Sequence, residues 1–302
     1  MQLLAKDIPT RPVRIIVPVA AGGGTDIAAR LIGQSLSERL GRSLTENRPG
    51  GNNNIGTEAV VRAPADGYTL LMANSVNAIN ASLYERLGYD FIRDMAPVAR
   101  IADAPLVLVV DPRVPARSVP EFIAYARANP GKLILGSAGI GAPNTVAAEL
   151  FKMKTGLDIP VVHYRGAAPA VADLLGGHVQ AMFDIIADSI EHVRAGRLRA
   201  LALTTASRLE ALPDIPSLSE LLPGYEATDW KGIGMPRNTP PEIIDKLNKE
   251  INAGLADPKL KARFAELGSR VLPGSPTDFG KLTADDTEKW AKVVKFAGIK
   301  AD

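Results

Sequence analysis

The stretch RIIVPVAAGGGTDIAARLIGQSLSERL, residues 14–40, constrains this chain more than any other. Ile15, Ile16 and Val17 form a short apolar run that stops at Pro18. Gly22, Gly23 and Gly24 follow, and Thr25 and Asp26 then open a segment with Ala28, Leu31, Ile32 and Leu36 at helical spacing. The order is strand, glycine loop, helix N-terminus. Such a loop leaves backbone N–H groups uncovered at the positive end of a helix, where an anionic oxygen is stabilised. Nucleotide signatures do not fit it. A P-loop needs Lys-Ser/Thr after its last glycine, where this chain has Thr25-Asp26, and the third residue after Gly24 is Ile27, not the glycine of a dinucleotide fingerprint. Asp26 would also repel a polyphosphate. A small anion of one or two charges suits the loop better; a βα turn without ligand is the alternative at this point.

The rest of the composition removes other classes. A formal net charge of +2 with scattered basic residues leaves no footprint for nucleic acid, and 5% aromatics offer no base-stacking surface. The absence of cysteine excludes disulfides, thiolate nucleophiles and Cys-ligated metals. His163, His178 and His192 have no metal-binding spacing. No metal, cofactor or nucleic-acid partner is therefore expected. No apolar run approaches the roughly 18 residues of a membrane span. Residues 1–7 are too short for a signal peptide, so the chain is either cytoplasmic or lacks a removed leader, of which Leu3-Leu4-Ala5 would be a remnant.

At 302 residues the chain can hold two lobes with separate cores. The first is α/β: a short strand at 45–47, the polar turn 48–54, a helix near 57–63, and a buried strand at 68–73 ending in Asn74-Ser75. Ligands gather at the carboxyl ends of parallel strands, which puts 22–26 and Asn74-Ser75 on one edge. The β-branched run 105–110 crosses into a second lobe, where Ser118 caps a helix over 119–128. That lobe repeats the first motif: strand 133–135, glycine loop 136–143 containing Ser137, Gly139 and Gly141, helix 144–154. Strand 160–164 follows, with Arg165-Gly166-Ala167-Ala168-Pro169 opening another helix, and strand 179–183 ends in Asp184. Around 225–230 the chain recrosses. Residues 233–236 read as a weak strand, 241–255 as an amphipathic helix, and the tail as helices over 258–267 and 276–296. Lobe 1 is thus expected over 1–106 and 226–302 and lobe 2, inserted, over 107–225, with two crossings that act as a hinge.

With both loops placed, the chain resembles the tripartite tricarboxylate transporter substrate-binding proteins, the Bug family of periplasmic solute receptors. The resemblance lies in RPVRIIVPVAAGGGTDIAARLI, ENRPG with NIGTEAVVRAPADGYTLLM, GSAGIGAP with AAELF, GAAPAVADLLGGHVQAMFD, LRALALTTASRLEALPDIPSLSE and LPGYEATDWKGIGMP. It implies a type 2 periplasmic-binding fold, two α/β lobes with a ligand cleft between them. It also implies export to the periplasm, no enzymatic activity, a monomer, and delivery of a small carboxylate to membrane transporter subunits. By position it implies that Val19, Ala20, Ala21, Gly22, Gly23, Gly24, Thr25 and Asp26 hold one ligand carboxylate through backbone amides and water, with Asn74 and Ser75 beside them. Ser137, Gly139, Gly141 and Thr145, then Gly166, Ala167 and Ala168, serve from the other lobe, and Asp184 matches a family acid that faces the cleft. The chain departs from the family pattern at Val19, often aromatic there, at Thr145, often His, and at Asn52 and Asn53, where small residues are usual.

On the residues alone, Arg165 is either a ligand contact or a surface arginine, and Asp184 either a helix cap or a partner for a ligand donor. The run 135–139 is similar to a G-x-S-x-G nucleophile elbow, but Leu135 replaces the first glycine and no His partner for Ser137 is identifiable. Besides transport, two functions stay open: a receptor that signals to a sensor kinase, and a hydrolase on the same scaffold.

Overall fold

A computed structural model describes residues 10–209 and 212–301; the leader remnant proposed at Leu3-Leu4-Ala5 lies outside them. The chain divides into two compact units, one running to Asp103 and resuming over Trp230–Ala291, the other comprising Ala104–Asp229 and the residues from Lys292 onward. The sequence-based division instead had its switches at 106/107 and 225/226 and gave the whole C-terminus to the first lobe.

The first unit opens with β1 (Val13–Val17), α1 (Gly24–Leu40), β2 (Ser43–Asn47), α2 (Asn54–Val61), β3 (Thr69–Asn74), α3 (Ser75–Leu83) and α4 (Phe91–Asp94), and then enters β4 (Met95–Val110). The second continues through α5 (Val119–Ala128), β5 (Leu135–Ser137), α6 (Pro143–Thr155), β6 (Val161–His163), α7 (Ala167–Gly176), β7 (Ala181–Ile185), α8 (Ile186–Arg194) and β8 (Arg199–Leu203). β9 (Thr228–Pro236) leads back, followed by α9 (Pro241–Leu255), α10 (Pro258–Glu266), β10 (Arg270–Val271) and α11 (Pro276–Ala297).

In the first unit β1 lies parallel between β2 and β3, and β9 runs antiparallel to β3 with Lys231 opposite Asn74. Ile15, Val17, Leu70 and Met72 of the sheet pack with Ala28 and Ile32 of α1 and with Leu247 and Ile251 of α9 in one core. In the second unit β5 is parallel to β6 and β7, while β7 and β8 run antiparallel to the second half of β4. Its interior includes a chain of ring contacts from Phe122 through Phe151 and Phe183 to Tyr225, with centroids 6.1, 5.6 and 6.3 Å apart.

Two strands differ from their sequence expectations. β4 spans 16 residues, not the six of the run 105–110, because it already begins at Met95. Asp103 is fully buried there, and Arg270 on the paired strand β10 donates to both its oxygens at 3.0 and 2.7 Å. β9 is nine buried residues rather than a weak strand of four. Its glycines conceal it: a Cβ on Gly232 would stand 2.3 Å from the Phe279 ring, and one on Gly234 2.9 Å from Met95 Cε, so both mark close packing rather than a break.

The entry to the first glycine loop is held in the same way. A Cβ on Gly56 of α2 would stand 2.8 Å from both Arg48 O and Pro18 Cα, backbone atoms that cannot swing aside. Gly23, by contrast, has open space around it and an ordinary φ of −81°. Gly56→Ala is therefore expected to cost about 1–3 kcal/mol of stability, whereas Gly23→Ala stays within roughly 0.5 kcal/mol of wild type. Thermal melts of the two variants side by side check this, and equal melting points would contradict it.

Candidate functional site: uncapped helix N-termini behind glycine loops

In the first unit, β1 delivers the chain at Val17 into an exposed loop, 20–24, and α1 begins at Gly24. The N-cap residue is Gly23, and no side chain caps the helix. Gly22 has φ +95°, a conformation that only glycine adopts without strain. Asp26 keeps this loop in place. Its Oδ2 accepts from Gly22 N–H at 2.9 Å and from Arg30 Nε at 3.0 Å, and its Oδ1 accepts from Asn47 Nδ2 at 2.8 Å. Burial alone would raise its pKa, but the hydrogen bonds from Arg30, Gly22 and Asn47 outweigh that and hold it below the usual carboxylate range. The Asp26 side chain therefore shapes the loop. Val19 packs partly against the core, and its carbonyl accepts from Asn47.

Asn74 and Ser75 end β3 and begin α3, both buried. Asn74 caps α3 in a reciprocal box with Asn77 and donates to Thr25 Oγ1 at 3.2 Å, which ties the two helix starts together. Behind it stands a network that sequence reasoning missed. Asn53 donates to Asn74 at 2.7 Å, Asn77 to Thr57 at 2.7 Å, Asn52 to the Asn80 side chain at 3.0 Å, and Asn80 back to the Asn52 carbonyl at 2.5 Å. Asn52 and Asn53 have φ of +50° and +77°, which explains asparagine where the family pattern has small residues. The clue available in the sequence was the Asn52-Asn53-Asn54 run itself.

The second unit builds the motif twice. β5 ends at Ser137, the loop passes Gly139 (φ +136°) and Gly141 (φ +78°), and α6 starts at Pro143 with Ala142 as an N-cap that carries no side-chain bond. α7 starts beyond Gly166 (φ +115°), also without a side-chain cap, and Gly166 N–H donates to Ala138 O at 3.0 Å, joining the two loops. Ala168 and Arg165 are exposed, while Gly166 and Ala167 are half-buried.

Ser137 does have a histidine partner, contrary to the sequence expectation. His163 Nδ1 lies 2.8 Å from Ser137 Oγ, at the end of the neighbouring strand β6. Counting protons sets the direction of the chain of bonds. Thr145 has one hydroxyl proton and donates it to Gly139 O at 2.6 Å, so Ser137 donates to Thr145 Oγ1 at 2.8 Å and His163 Nδ1–H donates to Ser137. A nucleophile needs the reverse, a base that takes the serine proton. Ser137 and Thr145 are fully buried and hold the loop by its Gly139 carbonyl. Burial lowers the His163 pKa and Lys152 lowers it further, against an opposing effect of Glu149.

Asp184 is fully buried at the end of β7. Ser189 of α8 donates to its Oδ2, and Asn144, one residue into α6, donates weakly to its Oδ1 at 3.4 Å and to Phe183 O at 2.9 Å. Desolvation pushes its pKa up to about 7, with Asp188 adding repulsion and the Ser189 bond opposing. Because the folded-state pKa is raised, the folded protein holds this proton between about pH 4 and pH 7, where the unfolded chain has released it. Asp184 thus costs nothing below that window and destabilises the fold progressively as pH rises through it. Asp184→Asn removes the penalty. The variant's melting temperature relative to wild type is expected to climb from pH 4 to pH 8, by the equivalent of up to a few kcal/mol. A difference that does not change with pH would contradict the assignment.

Comparison with known proteins places this geometry. Residues 28–299 match the family model for the tripartite tricarboxylate transporter family receptor. The chain is 36% identical over 300 residues to the protein BugT of Bordetella pertussis, covering 98% of this chain and 92% of that one. Among solved structures it is similar to Rpa4515 of R. palustris with adipate, at 39% identity and TM-score 0.83, with 97% of this chain and 99% of that one covered. MatC from Rhodopseudomonas palustris with bound malate is similar at 29% identity and TM-score 0.79, covering 95% and 99%. The fold is that of the periplasmic binding proteins, and the chain belongs to the tripartite tricarboxylate transporter receptor family.

Proposed function

We propose that this chain is a periplasmic solute receptor that captures a small carboxylate and delivers it, as a single chain, to the membrane subunits of a tripartite tricarboxylate transporter. The observation that carries this reading is the recurrence of one device. α1, α6 and α7 each begin behind a loop with positive-φ glycine, and none of the three has a side-chain cap. An N-terminus without an internal acceptor keeps its N–H groups for an outside anion. Each is worth about 0.3–1 kcal/mol where exposed and up to ~2 kcal/mol where partly buried. Hydroxyl and amide side chains around the loops are spent on shaping them, so recognition falls to the backbone: 20–24 in the first unit, and 139–142 and 166–168 in the second. That suits a carboxylate, which accepts several N–H bonds at once. Two relatives in the family were solved with the dicarboxylates adipate and malate.

A hydrolase is not supported by the Ser137–His163 contact, because the hydrogen bonds around it run from the histidine towards the serine. A sensing role would use the same binding loops and differs only in the membrane partner.

Titration with mono-, di- and tricarboxylates and aromatic acids tests the reading. An acid at 100 times its Kd is expected to stabilise the protein by about 2.7 kcal/mol, seen as a rise in melting temperature and confirmed by calorimetry. No response to any acid would defeat the proposal. Capture of transporter subunits, rather than a kinase, from solubilised membranes distinguishes transport from signalling.

A further inference from the structure

We infer that Asn144, in the first turn of α6, selects a ligand group that accepts and donates a hydrogen bond at once: a hydroxyl carried by the captured acid. The inference rests on the receptor reading above and deepens it, naming hydroxy acids as the ligand class.

Asn144 is 4% exposed and follows Pro143, the first residue of α6. The first turn has few amides to offer. Proline has no N–H, and the N–H groups of Thr145 and Val146 both turn back to Ala142 O, at 3.0 and 3.3 Å. Asn144 N–H has no acceptor among the described residues. It is a free donor at the positive end of a 13-residue helix.

The side chain adds a free acceptor. Asn144 Nδ2 donates to Phe183 O at 2.9 Å and, more weakly, to Asp184 Oδ1 at 3.4 Å. Those bonds fix which way round the amide sits, because the reverse orientation would set Oδ1 against the Phe183 carbonyl. Oδ1 itself receives no donor among the described residues. Nor is it sealed in: the enclosed side-chain atoms without a partner belong to Arg100, Glu149, His192, Asn252 and Trp290. The Cα–Cβ bond of a helical residue tilts toward the N-terminus, so the side chain leans the same way as the free N–H. Half of the Asn144 amide is thus spent on the fold and half is left over.

An almost buried oxygen without a donor is unfavourable until a donor arrives. A hydroxyl answers both free groups: its oxygen accepts from Asn144 N–H and its proton goes to Oδ1. An ionised carboxylate answers the N–H alone and brings its oxygens against Oδ1, with Asp184 behind it. A methylene answers neither. The α6 start therefore takes the hydroxyl and leaves the ionised ends of the ligand to other loop amides.

The test measures the binding of two pairs of acids by calorimetry, malate against succinate and 2-hydroxyadipate against adipate. In each pair the first acid differs by its hydroxyl. Wild type is expected to bind the hydroxylated member about two- to tenfold more tightly, the range of one hydrogen bond between neutral groups. Asn144→Ala keeps the N–H and loses Oδ1, so that ratio should fall toward one. A residue that only holds the fold would weaken both members alike, and an unchanged ratio overturns the inference. Equal binding of both members by wild type, or binding confined to acids without a hydroxyl, overturns it too and leaves the receptor reading standing. Should Asn144→Ala fail to fold, the methyl ethers of malate and 2-hydroxyadipate give a second readout on wild type, since an ether accepts but cannot donate. Each ether is expected to bind no better than the acid without a hydroxyl, and an ether as tight as its hydroxy acid would overturn the inference. Absence of binding by these acids and by the wider panel would instead defeat the receptor reading, and this inference with it.

Discussion

The buried carboxylate of Asp26 holds the first glycine loop in its working shape through the N–H of Gly22, the guanidinium of Arg30 and the amide of Asn47. A loop containing three consecutive glycines loses more conformational freedom on ordering than any other of its length. If a ligand had to order it, part of each binding interaction would be cancelled by that entropy. Fixing it from within the fold transfers the cost to folding, where the core of α1, β1 and β3 supplies the compensation. Asp26 sits at the amino end of a helix, a favourable place for a negative charge, so the clamp also stabilises α1. What it must not do is neutralise the helix start toward solvent, and its orientation toward Gly22 and Arg30 avoids this in part.

The second unit reaches the same end with neutral groups. His163, Ser137 and Thr145 pass hydrogen bonds in one direction to the carbonyl of Gly139, and Gly166 bonds Ala138. Hydroxyl, amide and carboxylate side chains in both units hold the glycine loops in shape. Thr145 has a defined place in this scaffolding. The position's task here is to bond the Gly139 carbonyl and accept from Ser137, and a hydroxyl does both.

Features set by local chemistry were legible in the sequence. Strand, glycine loop and helix in residues 14–40 are encoded within a few turns of chain, and so are the Ser118 cap of α5 and the amphipathic stripe of α9. Features set by distant partners were not. The part of β4 before Pro105 was not expected as strand, and its buried Asp103 is met by Arg270, far along the chain, and by Arg100. β9 was expected only as a weak strand over 233–236; at Gly232 and Gly234, Phe279 and Met95 occupy the space that side chains would have filled. His163 as the partner of Ser137, and Asn53 behind Asn74, became visible only once strands and helices brought them together.

The units differ most in the charge placed behind similar loops. The first has a buried ammonium, Lys231, near the start of α1; the second has a buried acid, Asp184, one hydrogen-bond partner away from the start of α6. With its pKa pushed up to about 7 by desolvation, Asp184 takes up a proton far more readily than an ordinary aspartate. An anionic oxygen at α6 would favour the protonated form of Asp184, while a hydroxyl or a neutral acid would make no such demand. The same backbone device thus lies near a buried lysine in one unit and near a buried acid in the other.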